Sequence, residues 1–167
     1  MVYFFILYTC GIILTKLVEL YRKAKSEKVI LASDHAGFKL KEKIKKFLIK
    51  KRNKKVLDLG TKNTSSVDYP DYAHLLSKKI NSNDNQFGIL ICGSGIGMNM
   101  AANKHKNVRA ALCYNAKSAR LSREHNNANV IAIGARLTKK NVALKCVSTF
   151  IKTNFIGGRH NKRVRKI

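Results

Sequence analysis

From Lys28 onward, short apolar runs alternate along the chain with stretches in which apolar residues recur at helical spacing. The runs are KVILAS (28–33), KVLDLG (55–60), FGILIC (87–92), VRAALC (108–113) and NVIAIG (129–134). Short apolar runs bounded by turn-forming residues are typical of buried strands. The pattern therefore predicts five strands.

The segments between these runs predict helices. After the first run, apolar residues recur at helical spacing with lysines on the outer face: Leu40, Ile44, Phe47 and Leu48. Four further helices are predicted. The first follows Pro70 and extends to Ile80, the second extends from Met98 to Lys104, the third from Ala116 towards Glu124, and the last includes 142–151. Strands that alternate with helices form βαβ units. We therefore predict an α/β fold over 28–167: one doubly wound, Rossmann-like domain with a five-stranded parallel sheet and helices on both faces.

The first 27 residues differ from the rest. Residues 1–15 (MVYFFILYTCGIILT) carry no charged side chain and are followed by a basic stretch. The apolar run is shorter than the roughly 18 to 20 residues that span a bilayer, and it lacks the basic start of a secretory signal. We interpret 1–27 as an extension outside the fold. A targeting leader, a membrane-associating helix and an upstream extension of the gene model all stay open.

The charge is strongly basic, with 34 Lys and Arg against 9 Asp and Glu and a net charge of +25. Such a balance can mark a protein that binds nucleic acid or an anionic membrane. Here 25 of the cations are lysines, dispersed over helix faces without interleaved aromatic residues, so compositional drift is a sufficient explanation. We predict no specific nucleic-acid partner, and membrane contact only through 1–27. A protein that binds polyanions or membrane surfaces remains the alternative from a non-enzymatic class.

The four cysteines, Cys10, Cys92, Cys113 and Cys146, show no CxxC spacing and no metal-ligand pattern. They therefore predict free thiols in a reducing compartment, without a metal site or a cofactor. We expect a cytoplasmic protein, and organellar targeting by the extension stays open.

Polar residues follow the first and third predicted strands, where a parallel sheet binds its ligands. Asp34 and His35 follow the first strand, and Cys92 ends the third, directly before GSGIG (93–97). Successive glycines at a helix start let backbone N–H groups bind an anion or an oxyanion that forms during a reaction. A thiol in that positive field can act as a base or a nucleophile. One chemistry that fits is proton abstraction next to a carbonyl.

The glycine loop does not predict a nucleotide site. The third glycine of GxGxxG would fall at Met100, and no acidic residue follows the next strand, where a ribose hydroxyl needs one. The loop also lacks the GK[ST] of a P-loop.

Six blocks occur in register across nearly all of 28–167. They are SDHAGFKLK (33–41), DYP (68–70), ILICGSGIGMNMAANK (89–104), VRAAL (108–112), SREHNNANVIAIGAR (122–136) and GGRHNKRV (157–164). Together they resemble the type B ribose-5-phosphate isomerases and their lactose-pathway relatives. The resemblance implies a metal-free aldose–ketose isomerase of the pentose phosphate pathway. It would interconvert D-ribose 5-phosphate and D-ribulose 5-phosphate through a cis-enediolate.

The resemblance also implies catalytic roles. Cys92 matches the general base that moves a proton between C2 and C1. The loop amides would hold the enediolate oxygen, and Ser94 would help to move protons between O1 and O2. His125 matches the residue that opens the furanose ring. The loop positions concerned are Gly93, Gly95, Ile96 and Gly97.

Substrate contacts are implied in the same way. Asn126 and Asp34 would contact the sugar, with Asp34 on its hydroxyls or ring oxygen. Three residues match a phosphate clamp, and a fourth matches a further binding position: His35, Arg159 and Arg163, then Arg136. Arg159 and Arg163 are spaced i, i+4, so one helical face can present both to one phosphate.

The remaining histidines and cysteines of 28–167 match no catalytic block. We expect His74 and His160 at the surface, and Cys113 and Cys146 in the core.

The resemblance further implies a homodimer whose active site is shared between subunits, with a tetramer left open. The nearest alternative is a galactose-6-phosphate isomerase. That branch usually lacks the His–Asn pair and the GGRHxxRV ending that this chain has at 125–126 and 157–164. Activity on a six-carbon sugar such as allose 6-phosphate stays open, because the loop at 61–67 could admit one more carbon.

Overall fold

The computed structural model describes residues 28–80 and 86–167, so the interpretations of 1–27, including Cys10, lie outside the described residues. The strands are β1 (Lys28–Ser33), β2 (Lys55–Asp58), β3 (Gln86–Cys92), β4 (Ala110–Leu112) and β5 (Val130–Gly134). The helices are α1 (Phe38–Arg52), α2 (Tyr69–Lys79), α3 (Ile96–Ala102), α4 (Ala116–Asn126), α5 (Lys140–Lys152) and α6 (Arg159–Val164).

The described strands form one parallel sheet in the order β2-β1-β3-β5-β4. The chain leaves β1 outward to β2 and then crosses back to β3 on the other side of β1. Strand order therefore reverses between β1 and β3, and a doubly wound sheet opens a crevice at the carboxyl ends of such a pair. The predicted fold class is confirmed.

Apolar layers cover both faces of the sheet. One layer packs α1, α4 and α5 against the strands through side chains such as Ile44 and Phe150. The other packs α2 and α3 through Leu76 and Met98. Cys113 and Cys146 lie in the first layer, which confirms their predicted place in the core. Burial raises the pKa of Cys146 to about 11, so this thiol stays protonated at neutral pH.

Strands β2 and β4 are two and three residues shorter than predicted. Backbone hydrogen bonds to the neighbouring strands nonetheless continue past their ends. The side-chain amide of Asn103 donates to the carbonyl of Ala110 at 2.9 Å, and its oxygen accepts from the N–H of Ala110 at 2.8 Å. This contact covers backbone groups at the start of the edge strand β4. Asp58 accepts from the N–H of Gly60 at 3.0 Å, in the turn that follows β2.

A histidine pair joins α2 to the segment after α3. Nδ1 of His74 lies 2.8 Å from Nε2 of His105, a contact that needs at least one neutral ring. The prediction that His74 is a plain surface residue is therefore wrong: it is half-buried in this contact. Burial lowers the pKa of His105, and the charges of His74 and Lys78 lower it further.

This pair predicts a loss of stability in acid. Because the pKa of His105 is lower in the folded chain than its unfolded value of about 6.5, the unfolded chain binds more protons below that pH. The contribution of neutral His105 is complete above the unfolded pKa and is lost as the pH falls through the folded pKa. Melting temperatures of wild type and His105→Asn between pH 7.5 and 5 test this. The melting temperature of the variant should fall less steeply as the pH decreases. Parallel curves for the two proteins would contradict the role of His105 in acid sensitivity.

Candidate active site

A cavity of about 570 Å³ lies at the carboxyl ends of β1 and β3, where the strand order reverses. This volume suits a small-molecule ligand. We call it the active-site cavity. Eight of the residues predicted for the site line it: Asp34, His35, Cys92, Gly93, Ser94, Ile96, Gly97 and Arg136.

The glycine loop fixes the sulfur of Cys92. Gly95 has a φ of 83°, in the left-handed region, and a Cβ there would lie 2.6 Å from Leu112 Cδ1 and 2.8 Å from Gly134 N. Only glycine is tolerated in this conformation and at this closeness. In this geometry the N–H of Gly95 donates to Sγ of Cys92 at 3.1 Å. The thiol is 4% exposed and lines the cavity, so it is reached from the cavity side.

Ser94 uses its hydroxyl within the same turn. Its Oγ accepts a hydrogen bond from the N–H of Ile96 at 3.3 Å, at the start of α3. A hydroxyl that accepts one hydrogen bond keeps its own proton to donate. Ser94 is thus positioned to exchange a proton with a group bound in the cavity.

Asp34 is held by the turn that follows β1. Its Oδ1 accepts from the N–H of Gly37 at 2.8 Å, and the residue is 5% exposed. Gly37 must be glycine because a Cβ would lie 2.2 Å from the carbonyl oxygen of Ile91. Within 28–80 and 86–167, Oδ2 of Asp34 makes no hydrogen bond, so one carboxylate oxygen is left for a ligand.

His35 connects the cavity to the loop at 61–67. Its Nδ1 lies 3.2 Å from N and 3.3 Å from O of Val67. When the N–H of Val67 donates to Nδ1, the ring proton of a neutral His35 is on Nε2. Nε2 then remains as a donor for an anionic ligand.

Arg136 brings a positive charge to the glycine loop. Its backbone N–H donates to the carbonyl of Gly93 at 3.0 Å. Its guanidinium covers Gly93 so closely that a Cβ there would lie 3.4 Å from Nη1. A cation beside a row of backbone amides attracts a negatively charged ligand.

Sequence reasoning missed the apolar rim of the cavity. Tyr69 packs on Gly97, where a Cβ would lie 2.6 Å from its ring, and it lines the cavity with Met100 and Leu137. Met100 is 65% and Leu137 72% exposed. Clusters of exposed apolar side chains mark a surface that another molecule covers. Two features of the sequence could have indicated this rim. One is the DYP block, and the other is the i, i+4 spacing of Ile96 and Met100, which places both on one helix face.

Besides Gly95, whose N–H holds Cys92, four predicted residues do not line this cavity. His125 and Asn126 end α4, and Arg159 and Arg163 lie on α6. The prediction that α6 presents its two arginines at i, i+4 agrees with its helical range, and both are exposed.

His160 is not a surface residue, so that prediction is wrong. Its ring stacks on His125 with centroids 4.3 Å apart and planes 3° from parallel, and it is 6% exposed. Burial lowers the pKa of His160, and the charges of His125, Arg159 and Arg163 lower it further. We call His125, Arg159, His160 and Arg163 the His–Arg cluster.

The family model described as Ribose/Galactose Isomerase matches residues 29–167. The chain belongs to the ribose/galactose isomerase family. Ribose-5-phosphate isomerase B of Escherichia coli is 39% identical over 141 residues, which cover 84% of this chain and 94% of that protein.

Solved structures of the family share the fold. A ribose 5-phosphate isomerase from Thermotoga maritima is 49% identical, with a TM-score of 0.80 over 84% of this chain and 96% of the other. Ribose-5-phosphate isomerase B from Mycoplasma genitalium, solved with bound ribulose-5-phosphate, is 44% identical, with a TM-score of 0.80 over 84% and 93%. The isomerase fold thus spans nearly all of 28–167.

Residues 28–80 and 86–167 contain neither a membrane-spanning helix nor a cluster of metal ligands. No helix among these residues is long and apolar enough to cross a membrane. No group of three or more His, Cys, Asp or Glu side chains in the same part of the chain could hold a metal ion.

Proposed function

We propose that this protein interconverts D-ribose 5-phosphate and D-ribulose 5-phosphate by proton transfer through a cis-enediolate. The observation that carries the proposal is the thiol of Cys92, fixed by Gly95 in a cavity that also holds Asp34, Ser94 and Arg136. The two solved relatives described above, both named as ribose 5-phosphate isomerases, support the choice of substrate.

In this mechanism Cys92 is the base. The thiolate takes the proton from C2 of the open-chain aldose, and the electron pair forms the C1–C2 double bond of the enediol. O1 gains a proton and O2 loses one, an exchange that the Ser94 hydroxyl can relay. Return of the sulfur-bound proton to C1 gives the ketose.

The surroundings stabilise the charge that develops on the enediolate oxygen. Gly93, Ser94 and Gly97 line the cavity, so their backbone amides at the start of α3 are available to an oxyanion there, and Arg136 adds a full positive charge. Asp34 offers its remaining carboxylate oxygen to sugar hydroxyls, and His35 donates to the phosphate from Nε2.

We also propose that a second subunit completes the site. In a single chain the apolar rim is exposed, and no residue of the His–Arg cluster lines the active-site cavity. A dimer that covers the rim and brings His125, Asn126, Arg159 and Arg163 to the other subunit's cavity satisfies both observations. Arg159 and Arg163 then bind the phosphate.

His125 opens the furanose ring in this account. An imidazole can donate a proton to the ring oxygen and accept one from the anomeric hydroxyl at neutral pH. The parallel stack with buried His160 fixes the plane of the His125 ring, so that one edge is presented to the sugar.

Removal of the thiol should abolish proton transfer. Cys92→Ala should lower kcat for ribose 5-phosphate by roughly 10² to 10⁴, the usual worth of a positioned base. Cys113→Ala is the control, because Cys113 is buried outside the cavity. Purified full-length protein is assayed in both directions. Wild-type activity in Cys92→Ala would refute the base assignment, and an inactive wild type would refute the function.

Removal of His125 should separate ring opening from proton transfer. Exchange of the C1 proton of ribulose 5-phosphate with deuterated water needs only the enediolate, whereas formation of cyclic ribose 5-phosphate also needs ring closure. In His125→Ala the ratio of exchange to net isomerisation should therefore rise at least about tenfold, within the usual range of acid–base catalysis. Cys92→Ala should lose both reactions together. An unchanged ratio, measured by NMR, would contradict the role of His125.

A further inference from the structure

A second cavity, of about 550 Å³, lies where α1 and α5 end. Among the described residues that line it, five are cationic and none is acidic: Lys50, Lys51, Arg52, Lys54 and Lys152. Helices that follow parallel strands run back against them, so the ends of α1 and α5 lie at the amino edge of the sheet. We call this the amino-edge cavity, and it is on the opposite edge from the active-site cavity.

Arg52 holds the two walls of this cavity together. Its Nη2 donates to Oγ of Ser148 on α5 at 2.6 Å, and its guanidinium lies 5.3 Å from the ring centroid of Phe47 on α1. The Nε of Arg52 is buried without a hydrogen-bond partner among the described residues. A fixed guanidinium therefore contributes a permanent positive charge to the cavity wall.

The lysines that line this cavity differ in ion pairing from the lysines nearer the start of α1. Lys41 and Lys45 pair with Asp58 at 2.7 and 2.9 Å. Lys50, Lys51 and Lys152 are exposed and form no ion pair with any residue of 28–80 or 86–167. All three line the cavity, and no acid of the described ranges neutralises them.

Helix ends alone do not explain this accumulation of charge. Cations in a last turn complement a helix dipole, which is worth about half a negative charge at each carboxyl end. Two helix ends thus balance about one positive charge, whereas Lys50, Lys51, Arg52 and Lys152 contribute four. The excess repels itself at distances below the Debye length, about 8 Å at physiological ionic strength, and a bound anion would relieve that repulsion.

We propose that the amino-edge cavity binds a small polyanion that carries two or more phosphate groups. Its volume is that of a ligand pocket, and lysines bind phosphate as point charges from several directions. The amides of Asn53 and Asn154, which also line the cavity, add polar contacts. None of the described residues that line it is aromatic and able to stack on bases, which favours a compact polyphosphate over a single-stranded nucleic acid.

The test is titration calorimetry of the full chain with inorganic tripolyphosphate, with the active site saturated by ribose 5-phosphate. The site variant is Lys50→Gln/Lys51→Gln/Lys152→Gln. The control, Lys43→Gln/Lys79→Gln/Lys117→Gln, removes the same charge from exposed lysines outside the cavity. The site variant should bind about tenfold more weakly or worse, and the control less than about threefold, because screened contacts act only at short range.

Three results would overturn the proposal. Equal losses in the two variants would assign the binding to diffuse surface charge. Displacement of tripolyphosphate by ribose 5-phosphate would assign it to the active site. Absence of binding by the wild type at low salt would remove the site altogether. Binding is read without turnover, so the outcome is independent of the proposed isomerase activity, and circular dichroism checks that both variants fold.

Discussion

The loop after β3 rests directly on the backbone that leaves β5, and the rest of the site depends on this close approach. A Cβ at Gly134 would lie 2.4 Å from the carbonyl oxygen of Ser94, so no side chain fits between the two segments. The N–H of Ala135 donates to the carbonyl of Cys92 at 2.8 Å, and that of Arg136 to Gly93 at 3.0 Å. The same contacts therefore bring the thiol, the loop amides and the Arg136 guanidinium together. Three groups that the proposed proton transfer needs are thus fixed by backbone geometry.

The two edges of the sheet carry different kinds of positive charge. At the carboxyl edge the active-site cavity has one arginine beside one acid, a thiol and glycine amides, a set that suits the proposed proton transfer. At the amino edge five cations and no acid of the described residues surround a cavity, which suits the binding of an anion. The positive charge that lines the two cavities is thus distributed unevenly between the edges of the sheet.

Local pattern was sufficient to predict the sheet and most of the cavity. The β1 range matches the predicted 28–33, and the groups after β1 and β3 meet because parallel strands end at one edge. Contacts between residues far apart in the sequence could not be predicted from local pattern. The burial of His160 depends on α6 folding back against α4, about 35 residues earlier in the chain, and Tyr69 reaches the site only because Gly97 leaves room for its ring. The amino-edge cavity combines 50–54 with 148–154, so its lysines look like ordinary solvated surface in the sequence.

The central claim is that two subunits share each active site, and complementation between inactive variants tests it most directly. Cys92→Ala and His125→Ala, each nearly inactive alone, are co-expressed with different affinity tags and the mixed dimers are purified. If the site is shared, one site of each mixed dimer carries both substitutions and the other carries neither. Such dimers should therefore recover about half of the wild-type activity, as two-fold symmetry requires. Mixed dimers that stay as inactive as the parents, or a protein that remains monomeric, would contradict the account.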